Sequence, residues 1–252
     1  MTAHIANIIR YPVKGLSPEH LETTRLSVGQ GLLNDRRFAL APSSSRFDSE
    51  NPSWCAKGEF LTLLRDEKLA LLDVRFDGDS TVLTINRDGK AVARGDVSTL
   101  MGRVLIEQFF AAFMPPGPRG NPKIVDAPNT MFSDTETPFV SIINLASVRD
   151  IERVARCPVN PLRFRGNLHI DGVTPWSEND WIGRTATIGG ATLKIMETTG
   201  RCGATSVDPD TAERDLNVLR ILQQGFGHTI TGVYAEVVKD GPIEINDTIE
   251  LA

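Results

Sequence analysis

Several familiar chemistries are excluded by what this chain lacks. Its three cysteines, Cys55, Cys157 and Cys202, are too few and too scattered for a disulfide framework, and no two have the spacing of a CxxC zinc knuckle. The four histidines, His4, His20, His169 and His228, show neither HxH nor HExxH spacing, so a zinc enzyme has little support. No apolar run approaches the roughly 18 residues of a membrane span, and the opening MTAHIANIIRYPVKG has no apolar core of signal-peptide length. No glycine-rich phosphate loop follows a strand, which disfavours Rossmann and P-loop architectures. Excess basic charge is also missing: the formal net charge is -5, so nucleic acid is not the expected partner and any anion site must be a local cluster of cations. The expectation is a cytoplasmic protein with neither a membrane nor a nucleic-acid partner.

What is present is an ordinary globular composition, 40% hydrophobic and 23% charged over 252 residues, enough to bury a core without staples. Short strands are expected at 6–9, 21–26, 37–40, 70–76 and 81–85, broken by Gly, Pro, Asp and Ser, with turns at Asp77-Gly78 and Asp88-Gly89. The segment PSSSRFDSENP between Pro42 and Pro52 is polar and aperiodic, and predicts a mobile surface loop. Leu100, Met101, Val104, Leu105, Phe109, Ala112 and Phe113 recur at helical spacing, with Ser98 placed to cap. The Pro- and Gly-dense stretch MPPGPRGNPKIVDAPN then suggests a boundary between subregions. A second helix is expected over 146–155, capped by Asn144, and a third over 216–223, stopped by Gly225. Further strands are expected at 168–170, 186–188, 192–196, 233–238 and 249–251, with turns at Asp240-Gly241 and Asn246-Asp247. Many short strands and about three helices predict a mainly β, barrel-rich α+β fold dominated by antiparallel sheet.

The segment TTGRCGATSVDPDT, Thr198 to Thr211, is the richest in chemistry. Cys202 follows a strand that runs out into a loop, beside Arg201 and between Gly200 and Gly203. A neighbouring guanidinium favours thiolate over thiol, and glycines let a large ligand approach the backbone. The competing reading is an inert buried thiol, the usual fate of a free cysteine. In Arg163-Phe164-Arg165-Gly166-Asn167, a period of two would aim Arg163, Arg165 and Asn167 at one ligand, or the arginines simply protect a solvated strand edge. Lys14 in YPVKG and Arg36 in NDRR end strands or turns and could complete an anion pocket with Arg165, or be solvated. A Cys–His hydrolase would need Cys202 beside a histidine across the fold. Asp208 and Asp210, in a turn before the last helix, are expected to cap.

In this order the pieces YPVKG with GLLNDRRFAL, FLTLLRDEKLALL, TPFVSIINLASV, LRFRGNLHIDG, ENDWIG, GRCGATSVDPDT and GVYAEVVKDGPIEINDTIEL resemble the MOSC family, named for the C-terminal domain of molybdenum cofactor sulfurase. The resemblance covers nearly the whole chain. It implies an N-terminal MOSC β-barrel domain over 1–95 and a MOSC domain over 96–252. It further implies a molybdenum cofactor, with Cys202 as the thiolate on the metal. Lys14, Arg36, Arg165 and Asn167 would grip the pterin and its phosphate, with Glu136, Thr137, Gly200 and Arg201 lining it. Within the family the chain is most similar to the amidoxime-reducing group, which implies a molybdenum-dependent oxidoreductase acting on N-hydroxylated or N-oxygenated small molecules, with electrons from a separate donor protein. The alternative is a carrier that delivers cofactor or sulfur without turnover. Pyridoxal phosphate binding is a further term attached to the family. The chain departs from the reductases at Gly15, where they usually have Ser after YPVK, and at Thr211-Ala212 in place of TG, and no ferredoxin-like extension follows.

Overall fold

A computed structural model describes residues 2–114, 117–128 and 130–252. Pro115, Pro116 and Asn129, all within the expected boundary stretch, lie outside them. The chain begins with β1 (His4–Arg10), β2 (Glu19–Leu21), β3 (Thr23–Ser27), β4 (Gly31–Leu32) and β5 (Phe38–Pro42). Then come β6 (Asp73–Asp77), β7 (Val82–Arg87), β8 (Lys90–Asp96), α1 (Leu100–Phe113) and β9 (Pro122–Asp126). The sequence β10 (Val140–Asn144), α2 (Leu145–Ala155) and β11 (Leu168–Asp171) follows. Last are β12 (Thr185–Ile188), β13 (Ala191–Gly200), α3 (Val218–Phe226), β14 (Ile230–Lys239), β15 (Gly241–Glu244) and β16 (Ile249–Leu251). With three α-helices among the described residues, the protein is mainly β, as its turn-rich sequence predicts.

Eight strands form one sheet in the order β16-β12-β13-β14-β10-β11-β1-β2. Its pairings are antiparallel except β10 with β11, which α2 joins as a crossover. The sheet curls until its flanks meet. Ile5 N donates to Asp247 O at 2.9 Å, Asn246 N to Ile5 O at 2.9 Å and Ile249 N to Ala3 O at 2.8 Å. Curling turns alternate residues inward, so Val140 and Ile142, Leu193 and Ile195, and Val233 and Ala235 pack with Ile5 and Ile8 in one core.

A second core lies under the antiparallel sheet β6-β7-β8 and helix α1, where Val74, Leu83 and Ile85 meet Ile106 and Phe110. Strand β5 pairs with β9 and is buried on both faces. Phe38 and Leu40 enter this second core, whereas Ala39 and Ala41 face a small cluster holding Phe60, Val125 and Phe132.

Several local expectations change. The single strand expected over 21–26 is two strands, because the chain bends at Glu22 and passes from the large sheet to the β15-β3-β4 sheet. Thr99, not Ser98, caps α1, its side chain accepting from Gly102 N at 3.1 Å, while Ser98 Oγ donates to Asp96. The α2 cap is Asn144, as expected. The α3 helix runs through Gly225, which packs tightly against Val154, and ends at the left-handed Gly227. Residues 70–71 belong to a 3₁₀ turn, Glu67–Leu71, rather than to β6. Between β5 and Lys57 no strand or helix is found, in keeping with the polar segment expected there.

Candidate functional site: a cationic cleft around Cys202

Strand β13 ends at Gly200, and the chain then turns tightly: Cys202 O accepts from Thr205 N at 3.1 Å and Thr205 Oγ1 at 2.9 Å. Two arginines pin this loop. Arg214 donates to Gly203 O at 3.2 Å and across to Leu63 O and Leu64 O at 3.1 and 2.9 Å. Arg163, buried, pairs with Asp208 and Asp215, each at 2.7 Å. Cys202 itself is half-buried and lines a cleft with about 930 Å³ of space, its open mouth included.

The same cleft is lined by Lys14, Arg36, Lys57, Arg163, Arg165 and Arg201, against one lining carboxylate, Asp134. Lys14 continues from β1 through Tyr11-Pro12-Val13, which runs beside the Arg36–Phe38 segment: Arg36 N donates to Tyr11 O at 2.6 Å and Lys14 N to Phe38 O at 2.8 Å. The Tyr11 ring centroid lies 4.9 Å from the Arg36 guanidinium and 4.1 Å from that of Arg165, so one aromatic ring helps to orient two cations. Arg36 and Arg165 both adopt left-handed backbone, φ 47° and 51°, a conformation uncommon for side-chain-bearing residues and concentrated at ligand sites.

The arginines are held largely by carbonyls. Arg36 donates to Arg165 O at 2.8 Å and pairs with the buried Asp35. Arg165 donates to Leu16 O at 2.8 Å, and Arg201 to Phe164 O at 2.7 Å and Thr231 O at 2.9 Å. Carbonyl dipoles orient guanidinium groups without cancelling their charge. Burial accordingly lowers both Arg165 and Arg201 to about 10, and raises Tyr11 to about 12. The Arg165 Nη2 and Ser141 Oγ atoms are buried with no partner inside the protein, and both residues line the cleft. Unpaired buried donors on a cavity wall suit an acceptor-rich ligand.

At the other wall, Lys14 Nζ donates to Phe132 O at 2.9 Å and to Asp134 at 2.6 Å, and Lys57 Nζ reaches the second Asp134 oxygen at 3.2 Å. Burial alone would raise Asp134, but the two ammonium groups hold it well below the usual carboxylate range. Burial lowers Lys14 more than Asp134 raises it; at Lys57, burial is outweighed by Asp134 and then Cys202, and its pKa rises.

Of the residues singled out in the sequence, Cys202, Lys14, Arg36, Arg165, Asn167, Gly200 and Arg201 line this cleft. Glu136 and Thr137 do not; both are exposed. The expected strand through Arg163, Arg165 and Asn167 is instead the 3₁₀ turn Pro161–Phe164, started by Pro161 and capped by Asn160, and it ends on left-handed Arg165. The three side chains therefore diverge. Arg163 is neutralised by carboxylates. Asn167, 1% exposed, ties the sheet together by donating to Ile9 O at 3.2 Å and accepting from Ser141 N at 3.1 Å. Lys57, Asp134, Ser141 and Tyr11 were missed. Lys57 and Asp134 lie 77 positions apart, with no shared motif to link them.

Gly15 is shaped by its backbone. At φ 82° it is left-handed, and a Cβ there would stand 2.9 Å from Leu61 O, which explains a glycine at this position. Gly200 is the opposite case: a Cβ there would meet nothing, so open cleft lies over it.

Among the described residues no group of three or more His, Cys, Asp and Glu side chains could hold a metal ion. A metal at Cys202 must therefore bring most of its own ligands. A β-rich fold that presents a single cysteine in a cationic cleft is the general description of this protein. The comparisons make it particular: residues 2–104 match the MOSC N-terminal beta barrel domain and residues 130–250 the MOSC domain, and the chain belongs to the MOSC family. The human mitochondrial amidoxime-reducing component 1 is 24% identical over 296 residues, covering 98% of this chain and 82% of that protein. The molybdenum cofactor sulfurase of Anopheles gambiae is 35% identical over 79 residues, 31% of this chain and 10% of that protein. In fold, the chain resembles the YUAD protein from Bacillus subtilis, with a TM-score of 0.51 at 11% identity and coverage of 100% of this chain and 96% of that one. Among the described residues no helix is long and apolar enough to cross a membrane.

Proposed function

We propose that the protein is a molybdenum-cofactor oxidoreductase that removes oxygen from N-hydroxylated or N-oxygenated small molecules, with Cys202 as the protein ligand to the metal. One observation carries this reading: half-buried Cys202 shares a cleft with four cations, Lys14, Arg36, Arg165 and Arg201, and with two buried polar atoms that have no internal partner. The donor set fits the cofactor. A soft thiolate suits a metal held by a dithiolene, and forked guanidinium groups suit a phosphorylated pterin. The open space over Gly200 leaves room for a heterocycle to approach the backbone.

When bound, the cofactor supplies the two-electron chemistry that takes oxygen from nitrogen. The chain supplies position and charge. Arg165 Nη2 and Ser141 Oγ would offer hydrogen bonds to the cofactor, Lys14 and Arg36 would add donors whose charge is shared with Asp134 and Asp35, and Cys202 would hold the metal on the loop that Arg163 and Arg214 pin. Relatedness to an amidoxime-reducing protein supports this reaction class, and a separate donor protein would deliver the electrons.

The test is metal and pterin analysis of protein expressed in a cofactor-competent host. Wild type should hold about one molybdenum and one pterin per chain, and Cys202→Ala should lose molybdenum and at least 100-fold of amidoxime reduction driven by a chemical donor. Wild type without molybdenum sinks the proposal. Molybdenum without Cys202-dependent reduction points instead to a carrier.

A further inference from the structure

The polar segment that leads from β5 towards Phe60 contains no strand, yet it is anchored. Phe47 packs edge-on against Phe60 and Phe132 with centroids 5.6 and 5.2 Å apart, and those two rings lie 4.9 Å from each other. The Glu59 carboxylate accepts from Arg46 N at 2.6 Å and Ser45 Oγ at 3.2 Å, tying the two ends of the segment. The result is a fixed place for Lys57 in the lining of the cleft that Cys202 also lines.

Asp134 gives one oxygen to Lys14 and the other to Lys57. Two ammonium groups thus share one carboxylate, and one positive charge is left over. The Lys14 side chain is 6% exposed and that of Lys57 39%, so the surplus charge faces the opening. An ammonium has three donors, and Asp134 takes one from Lys57, leaving donors for an incoming acceptor. None of the groups assigned above to the cofactor is Lys57.

We propose that Lys57 is a specificity residue that favours, among small N-oxygenated substrates, those bearing a carboxylate or other anionic group, which it meets at the mouth of the cleft beside Cys202. The substrate part of this inference rests on the oxidoreductase reading; the preference for anions at Cys202 does not. A single charge at short range in a partly wetted cleft changes a rate or affinity about tenfold.

The experiment has two arms. In the first, the whole chain without cofactor is alkylated with iodoacetate and with iodoacetamide, and the rate at Cys202 is followed by peptide mass spectrometry. The anionic-to-neutral rate ratio should fall about tenfold in Lys57→Gln and further in Lys57→Glu, and stay constant in Lys90→Gln on exposed β8. In the second, the holoenzyme's kcat/KM for a carboxylate-bearing amidoxime relative to its neutral parent should fall by a similar factor in Lys57→Gln. An unchanged alkylation ratio overturns the role of Lys57 even in an active enzyme. A shifted ratio with unchanged kcat/KM preference overturns substrate selection, and a shifted ratio in a chain that binds no molybdenum overturns the oxidoreductase reading while the anion preference stands.

Discussion

The two walls of the cleft hold their cations by different means. On the wall of Arg165 and Arg201, backbone carbonyls and a tyrosine ring orient the guanidinium groups and leave their charge intact. On the wall of Lys14 and Lys57, a carboxylate shared by both lysines cancels half the charge. The difference teaches that positive residues in one cavity are not equivalent: carbonyl dipoles leave a cation its whole charge, and a shared carboxylate leaves two cations one charge between them. Arg163 extends the lesson, since it lines the same cleft only two positions from Arg165 yet is spent on Asp208 and Asp215.

The sharpest way to break this contrast is to remove the two arginines separately. Arg163→Met should lower folding stability by about 3 kcal/mol in urea denaturation, towards the lower end for a broken buried pair because both carboxylates keep access to water. Arg165→Gln should cost little stability but weaken cofactor retention about 10- to 100-fold, measured as molybdenum lost on dilution and gel filtration. If Arg165→Gln unfolds the protein while Arg163→Met releases cofactor, the assignment of roles is inverted.

A smaller effect concerns the large sheet below. Burial, aided by His20, depresses His169 from 6.5 to about 4, so the folded state keeps it neutral where the unfolded chain protonates. The unfolded state therefore binds more protons between those values, and the stability from this group is complete above pH 6.5 and drains away as pH falls towards 4. Wild type should lose about 2 kcal/mol between pH 7 and pH 5 from this source. His169→Asn should flatten that part of the profile, and an equally steep profile would show that other groups carry it.

Much of the fold is legible in the sequence where periodicity and chemistry agree. Apolar residues three and four apart mark α1 and α2, and Asn144 caps as its side chain predicts. The seven motif stretches likewise lead to the family. Legibility fails where two local rules compete. Residues 163–167 alternate like a strand, but Pro161 after Asn160 starts a 3₁₀ turn, and the left-handed Arg165 ends it. Gly225 looks like a helix stop, yet close packing on Val154 favours glycine inside the helix. Lys57 and Asp134 are invisible for another reason, since their meaning comes from a contact that only tertiary folding creates.

The hydrogen bonds between residues 3–5 and 246–249 set a timetable as well as a shape. Strand β1 is sealed by residues some 240 positions downstream, and its neighbour β11 lies some 160 positions downstream. Such distant pairings fold slowly, and the cleft draws its walls from Lys14 through Tyr234. The cleft cannot close until residues as far along as Tyr234 are in place, so any cofactor loading would follow the synthesis of both barrels rather than accompany the first.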